Sequence, residues 1–330
     1  MSTVASAMIV GTGMFVPRRV LTNTDFARLV ETSDDWITQR TGMKERRIAE
    51  HDQATSDLAV EAGRAALADA GLRPDQVDLI ICATITADNT LPATACWIQD
   101  RLGCTGAGAY DLTAACCGNI YALAQARANV LSGQARNVLV IAAETLSRIT
   151  DYTDRSSCVL FGDGAGAAVV QASDEPATGI LYAALHADGG GGEMMILPAG
   201  GSRRPPSHDT IDQRLHYMSI RGREVFKFAV VKMQELIEDC MKACDLSVED
   251  VRLVVPHQVN KRIIDAATGR MGFPPEKVFL NIEKYGNTGG ASCAMAYHEA
   301  RAAGMLGPGD VAILVAFGGG LTWAAAVIKH

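Results

Sequence analysis

Two patterns of apolar and polar positions take turns along the chain. One pattern predicts helices and the other predicts strands. Helices are predicted where apolar residues recur every three or four positions, most strongly over 56–70. Strands are predicted where short apolar runs lack polar alternation, as in buried parallel strands. The predicted strands cover 5–12, 77–84, 107–112, 137–144 and 161–170, and the other predicted helices begin near Thr24, at 95–102 and after Cys117. This alternation is typical of an α/β fold.

The second part of the chain repeats the pattern of the first. Residues 70–80 match 244–254 at an offset of 174, and residues 137–142 match 310–315 at an offset of 173. Two separate matches at nearly the same offset indicate that an αβ unit has been duplicated. The prediction is a pair of similar halves that each contain a mixed sheet covered by helices. The predicted boundaries are 1–172 for the first half, 173–222 for long connecting loops and 223–330 for the second half.

Cys116 is a candidate nucleophile because of its place between elements. It follows the predicted strand 107–112 and directly precedes a predicted helix. Free backbone N–H groups and the helix dipole lower the pKa of a thiol at such a position. Cysteine is also among the most frequently buried residue types, so this stretch alone leaves a core role open.

The duplication predicts which residues meet Cys116. His257 follows the predicted buried strand 253–255, and Asn287 lies in a glycine-rich turn that matches the Cys116 turn at an offset of 174. Equivalent turns of two duplicated halves face each other, so we expect Cys116, His257 and Asn287 to converge. Alone, a histidine after a strand is more often a core or surface residue. Together, the three residue types support nucleophilic acyl transfer.

Composition narrows the class of protein. The 330 residues are 48% hydrophobic and 20% charged, as in ordinary globular enzymes, and the net charge of −7 argues against general nucleic-acid binding. The sequence has no apolar run of about 18 residues and no recognisable signal peptide. Nine cysteines without a C-x-x-C pair argue against a disulfide framework and a zinc site. We therefore expect a reducing, cytoplasmic compartment.

The segment 31–47 combines one tryptophan, Trp36, with cations. These cations are Arg40, Lys44, Arg46 and Arg47. One interpretation is a solvated helix end. The other is a site where aromatic and guanidinium planes hold a base or a phosphate.

Four motifs are similar to those of β-ketoacyl-acyl-carrier-protein synthase III, a family of the thiolase superfamily. They are A-A-C-C-G at 114–118, P-H-Q-V-N-K-R-I-I at 256–264, G-N-T at 286–288 and F-G-G-G-L-T-W at 317–323. The resemblance extends over nearly the whole chain. It implies a thiolase-like fold with two mixed five-stranded sheets in α-β-α-β-α layers, and a homodimer. It also implies an acyl-CoA primer, malonyl-acyl-carrier protein as the second substrate, and no metal or redox cofactor.

The resemblance also implies a role for individual residues. Cys116 takes the acyl group, while the N–H groups of Cys116 and Gly319 form the oxyanion hole. His257 and Asn287 stabilise the enolate that remains after CO₂ leaves. The CoA-binding positions are Trp36, Arg40, Arg155, Gly222, Phe226 and Asn260, and the carrier-protein docking positions are Lys227, Arg262 and Arg270. Leu91 corresponds to the position that reaches into the partner subunit's primer pocket.

Several residues depart from the family pattern and leave the choice of primer open. They are Cys117, Leu91, the pair Gly289-Gly290 and the run Ser292-Cys293-Ala294-Met295. A competing hypothesis is a related enzyme of secondary metabolism that loads an unusual acyl group. The sequence also leaves open transacylation without decarboxylation, a redox or metal sensor built on Cys116-Cys117, and a non-catalytic structural role.

Overall fold

The computed structural model describes residues 5–330. Its strands are β1 (Ser6–Phe15), β2 (Arg19–Thr22), β3 (Glu45–Ile48), β4 (Leu79–Ala83), β5 (Gly108–Leu112), β6 (Asn137–Thr145), β7 (Asp163–Ser173), β8 (Gly179–Ala187), β9 (Met195–Ile196), β10 (Ser219–Ile220), β11 (Val251–Pro256), β12 (Val311–Gly318) and β13 (Thr322–Lys329). Its helices are α1 (Asn23–Leu29), α2 (Asp34–Thr41), α3 (Thr55–Asp69), α4 (Thr94–Leu102), α5 (Gly118–Leu131), α6 (His208–Asp212), α7 (Gly222–Ala243), α8 (Lys261–Arg270), α9 (Ile282–Tyr285) and α10 (Ala291–Ala302).

Two mixed sheets have the same strand order, which confirms the predicted duplication. The first sheet runs β1-β7-β6-β4-β5, and the second runs β8-β13-β12-β11. In the first sheet β4 is parallel to β6, and β7 is antiparallel to β6 and β1. In the second sheet β11 is parallel to β12, and β13 is antiparallel to β12 and β8. The two halves are therefore the same αβ unit used twice.

The second sheet has four strands rather than the expected five. At the place equivalent to β5, one isolated parallel bridge joins Val278 to Val254. The extended stretch that contains Val278 begins after a 3₁₀ turn at Pro275–Lys277. It ends three residues later, where the Gln258 side-chain oxygen accepts hydrogen bonds from the N–H groups of Asn281 and Ile282. The extended stretch is therefore too short to form a full ladder.

The sequence suggested that the segment 173–222 consists of connecting loops. The structure shows that it also contains a strand of the second sheet. This strand is β8, which pairs with β13 along Gly179–Ala187 as the edge strand of the second sheet. Its residues 180–185 form an apolar run, but most of the strand is only half-buried or exposed, as befits the edge of a sheet. The second half therefore begins at β8 and not at residue 223.

Five layers stack in the predicted α-β-α-β-α order. Apolar side chains of α5 and α10 pack between the two sheets in one shared core. Helices α3 and α4 cover the outer face of the first sheet, and α7 and α8 cover that of the second. Since α5 and α10 begin at the centre of the molecule, the turns that precede them meet there. None of the helices in residues 5–330 combines the length and apolar character needed to cross a membrane.

Candidate active site

Cys116 lies where the sequence predicted it, between a strand and a helix. The chain leaves β5 at Leu112, forms a 3₁₀ turn over Ala115–Cys117 and enters α5 at Gly118. Ala115 adopts a left-handed conformation with φ of 47°, which is uncommon for a residue with a side chain. Strained backbone of this kind is often found beside a reactive group that must be held in one orientation.

The end of β12 closes over this turn from the opposite half. A Cβ atom placed on Gly318 would lie 2.7 Å from the Cys116 backbone nitrogen and 3.1 Å from its Cβ atom. Glycine is therefore required at position 318 for the two halves to approach this closely. The contact leaves the Cys116 side chain only 8% exposed.

Burial reverses the pKa shift that the sequence suggested for Cys116. Removal from water raises the pKa of the thiol well above its usual range, and the neighbouring Cys117 and Glu144 raise it further. Hydrogen bonding by the backbone N–H at the turn lowers the pKa, but by less. The expectation of a lowered pKa is therefore wrong for the free protein, which holds Cys116 as a neutral thiol at neutral pH.

His257 follows the last residue of β11 and is completely buried. Its backbone N–H donates to the Val315 carbonyl at 2.7 Å, and its ring packs edge-on against Phe317 with centroids 5.8 Å apart. Burial lowers the pKa of the imidazole to about 3, so the ring is neutral at neutral pH. Nδ1 lies 2.5 Å from the Ser292 hydroxyl oxygen. Nε2 is buried and has no hydrogen-bond partner among residues 5–330.

Asn287 is fixed by its own turn in an orientation that leaves its amide donor free. Its backbone N–H donates to the Leu160 carbonyl at 2.9 Å, and its carbonyl accepts from the Gly162 N–H at 3.0 Å. The side-chain oxygen accepts from the Gly289 N–H at 2.9 Å, which identifies the other terminal atom as the NH₂ group. This NH₂ group has no acceptor among the hydrogen bonds of the described chain.

One small cavity joins the three residues, as the duplication predicted. Cys116, His257 and Asn287 line a space of about 30 Å³ together with Phe317. A second cavity of about 180 Å³ adjoins it and is lined mainly by aliphatic and methionine side chains, together with Gly319. The site therefore combines a thiol, two free hydrogen-bond donors and an apolar extension.

The residues that the resemblance assigns to CoA lie in two groups. In the first, the Arg155 guanidinium stacks 4.4 Å from the Trp36 ring, and that of Arg40 lies 6.0 Å from it. Arg155 is so close to Trp36 that an adenine ring fits between them only if Arg155 moves away. Asn260 joins this group because its side-chain NH₂ donates to the Arg40 carbonyl at 3.0 Å, while its oxygen caps α8.

The second group surrounds the first turn of α7. Gly222 and Phe226 line a cavity of about 420 Å³ together with the cations Arg223, Lys227 and Arg262. Arg270 does not line this cavity. It is the last residue of α8, about 12 Å along the helix from Arg262. The structure thus brings Lys227 and Arg262 together and leaves Arg270 apart from them.

Leu91 lines none of the cavities described above. It stands in the loop before α4 with 87% of its surface exposed. An apolar side chain this exposed is available to a second molecule.

Two buried polar residues near the site were given no role in the site from the sequence. One is Ser292, the partner of His257. The other is Glu144 on β6, whose carboxylate accepts from the Ile85 N–H at 3.2 Å and from the Thr86 hydroxyl at 2.5 Å. Burial raises the pKa of Glu144 to about 8. The sequence signal for Glu144 is a lone carboxylate directly after the apolar run 138–143, whereas Ser292 gives no comparable signal.

Comparisons with known proteins find relatives of one kind. A family model described as 3-oxoacyl-[acyl-carrier-protein] synthase III matches residues 110–189, and its C-terminal counterpart matches residues 241–330. A β-ketoacyl-[acyl-carrier-protein] synthase III of Caldanaerobacter subterraneus subsp. tengcongensis is 52% identical over 324 residues, which are 98% of each chain.

Solved structures give the same result. The 3-oxoacyl-[acyl-carrier-protein] synthase III of Aquifex aeolicus superposes with a TM-score of 0.91 at 44% identity, covering 98% of this chain and 100% of that one. The priming β-ketosynthase of a polyketide biosynthetic pathway superposes with a TM-score of 0.92 at 34% identity, covering 100% and 97% of the two chains.

Proposed function

The chain belongs to the β-ketoacyl-acyl-carrier-protein synthase III family, and we propose that Cys116, His257 and Asn287 perform its two chemical steps. It is the initiating condensing enzyme of type II fatty-acid synthesis, which joins an acyl group from acyl-CoA to malonyl-acyl-carrier protein. The observation that carries the assignment is the single cavity lined by a buried thiol, a free imidazole nitrogen and a free amide.

In the first step, Cys116 takes the acyl group from CoA. Its sulfur attacks the thioester carbonyl, the bond from that carbonyl to the CoA sulfur breaks, and the thiol proton ends on the CoA thiol. The N–H groups of Cys116 and Gly319 are proposed to hold the oxyanion that forms between attack and departure. Gly319 lines the adjoining cavity and directly follows Gly318, which packs against the Cys116 backbone nitrogen, and this placement supports the role.

In the second step, malonyl-acyl-carrier protein loses CO₂. The bond between its carboxylate and methylene carbons breaks, and the electron pair forms an enolate on the thioester. We assign the Nε2–H of His257 and the NH₂ group of Asn287 as the donors to the enolate oxygen. The enolate carbon then attacks the acyl-Cys116 carbonyl and releases the Cys116 thiolate, which takes a proton from water. The products are 3-oxoacyl-acyl-carrier protein, CoA and CO₂, and no metal or redox cofactor is needed.

Acyl-enzyme formation tests the nucleophile. We expect the wild type and Cys117→Ala to gain one acyl mass on mixing with acyl-CoA, and Cys116→Ala to gain none, as measured by intact-protein mass spectrometry. Cys117 is the matched control because it is the adjacent residue and is also buried. Acylation of Cys116→Ala would refute the assignment, and unchanged condensation by that variant would indicate a non-catalytic role for Cys116.

The adjoining cavity supports a primer larger than acetyl. A cavity of about 150 Å³ lined by Leu, Ile and Phe holds a benzene molecule, so the 180 Å³ beside Cys116 has room for about six carbon atoms. Its lining includes Ile85, Ile149 and Leu197, and the flexible Met195 and Met218 allow branched chains to fit. We propose that Leu91 of a second copy contributes to the far end of this pocket.

Primer length tests this pocket. Each buried methylene contributes about 0.8 kcal/mol, so the four additional methylenes of hexanoyl should raise the efficiency of Cys116 acylation over acetyl by up to about 200-fold. We expect butyryl to hexanoyl chains, straight or branched, to load best in a panel from acetyl- to dodecanoyl-CoA. Acetyl as the best primer would contradict the proposal. No loading by any member would favour the competing hypothesis of an enzyme of secondary metabolism.

The cationic cavity beside α7 supports the proposal that CoA and the acyl carrier protein approach the active site from the same side. CoA phosphates and an acidic carrier protein both require positive charge, which Lys227 and Arg262 supply at the cavity and Arg270 supplies further along α8. Because the chain as a whole carries a net charge of −7, this local patch must provide the steering. Trp36, Arg40, Arg155, Gly222, Phe226 and Asn260 are proposed to bind CoA.

The edge of the first sheet supports a homodimer. Strand β5 pairs with one neighbour only, β4, among residues 5–330. Three large apolar side chains are exposed near it: Leu91, Trp97 (41%) and Tyr110 (37%). An open edge flanked by apolar surface favours pairing with a second copy. A cytoplasmic location is proposed because all nine cysteines are free thiols.

A further inference from the structure

Ser292 is the one residue that hydrogen-bonds to the His257 ring in the described chain. It lies in the first turn of α10 and is 2% exposed. Its hydroxyl oxygen is 2.5 Å from His257 Nδ1 and accepts a longer hydrogen bond, 3.3 Å, from the Gln258 N–H. All of these groups are buried, so water cannot replace either contact cheaply.

The direction of the hydrogen bond between Ser292 and His257 follows from counting protons. A serine hydroxyl carries one hydrogen, and Nδ1 is the one acceptor within its reach among residues 5–330. If Ser292 donates to Nδ1, the imidazole proton is on Nε2, and only the Nε2–H lacks a partner. If Nδ1–H donated instead, both the serine hydrogen and the Nε2 lone pair would be buried without partners. The first arrangement leaves fewer unsatisfied groups and is therefore favoured.

We propose that Ser292 is a positioning residue that holds His257 in the tautomer with its proton on Nε2. This proposal rests on the catalytic assignment made above. The cavity that His257 lines also contains the Cys116 thiol and the Asn287 turn. In this tautomer, Nε2–H donates to the thioester oxygen of the malonyl group while the bond to CO₂ breaks. The serine proton stays on its oxygen throughout, and His257 neither gains nor loses a proton.

The tautomer also separates the two steps of the reaction. An imidazole with its proton on Nε2 has no lone pair to offer to the Cys116 thiol, so it cannot act as the base for acylation. It is, however, preset as a donor for the enolate oxygen. Ser292 is therefore needed for decarboxylation and not for acyl transfer.

The tautomer is measurable directly by ¹⁵N NMR of protein labelled at histidine. In the wild type we expect the His257 signals of a single neutral tautomer, with Nε2 protonated and Nδ1 accepting a hydrogen bond. In Ser292→Ala we expect a mixture of tautomers. Malonyl decarboxylation should fall about 10- to 100-fold, the size usual for removing an outer partner that orients a histidine, while Cys116 acylation stays within about twofold.

Two further variants control for packing. Cys293→Ala removes the side chain of the next, equally buried residue of α10, and it should change neither the tautomer nor the ratio of the two half-reactions. Ser292→Thr retains the hydroxyl and should restore the Nε2–H tautomer at least partly. The wild-type spectrum alone tests the proposal if Ser292→Ala fails to fold.

A wild-type spectrum of the Nδ1–H tautomer would overturn the proposal, as would equal loss of both half-reactions in Ser292→Ala. These outcomes differ from failure of the catalytic assignment. That assignment fails if His257→Ala decarboxylates malonyl thioester like the wild type. If His257→Ala is inactive and Ser292→Ala is not, only the role of Ser292 is wrong.

Discussion

His257→Ala and Asn287→Ala should each lose malonyl decarboxylation by about 100- to 1000-fold and retain acylation of Cys116. This is the usual cost of removing one preorganised donor from a developing oxyanion. Both donors lack partners in the free protein, and the internal hydrogen bonds that the substitutions remove are those of His257 Nδ1 with Ser292 and of the Asn287 side-chain oxygen with the Gly289 N–H. Decarboxylation is measured as CO₂ release from labelled malonyl-acyl-carrier protein, and acylation by the mass of the protein.

The half-buried His298 provides a matched histidine outside the site, and His298→Ala should leave both rates unchanged. Burial lowers the pKa of His257 to about 3, so the wild-type decarboxylation rate should show no titration of this ring between about pH 5 and 8. Equal loss of acylation and decarboxylation in either alanine variant would contradict the proposed division of roles.

Elements with a strong internal pattern were predictable from the sequence. The helix predicted over 56–70 is α3, and the strand predicted over 137–144 is β6, each within one residue at both ends. The convergence of Cys116, His257 and Asn287 was also predictable, because two repeats at nearly the same offset fix which turns face each other. By contrast, β8 was missed although its residues 180–185 are apolar, because the strand lies outside the two matched stretches that defined the repeat.

Features that depend on distant parts of the chain were not predictable. The raised pKa of Cys116 arises from burial beneath β12, whereas the local pattern of a helix start suggested a lowered pKa. The contact between Ser292 and His257 joins residues 35 positions apart, and Glu144 binds a turn nearly 60 positions away. Such pairs follow from how the two halves pack, and a single sequence does not encode that packing in any local pattern.

Gly318→Ala should lower the rate of Cys116 acylation about 100-fold. The new Cβ atom would lie 2.7 Å from the Cys116 nitrogen and 3.2 Å from the Ala115 Cβ atom, and neither atom can rotate away. Strand β12 cannot retreat, because it is paired along its length with β11 and β13. The Cys116 turn must therefore shift, and a misplacement of about 1 Å at a reacting group costs about 100-fold in rate.

Gly269→Ala is the matched control for Gly318→Ala, because a Cβ atom at Gly269 meets nothing within 4 Å and the residue lies in a helix. It should keep the wild-type acylation rate and gain about 0.5–1 kcal/mol in the free energy of unfolding. Gly318→Ala should instead lose about 1–3 kcal/mol to overpacking. Acylation at the wild-type rate by Gly318→Ala would mean that Cys116 tolerates displacement. The nucleophile would then not depend on the close approach of the two halves, and the glycine would serve packing alone.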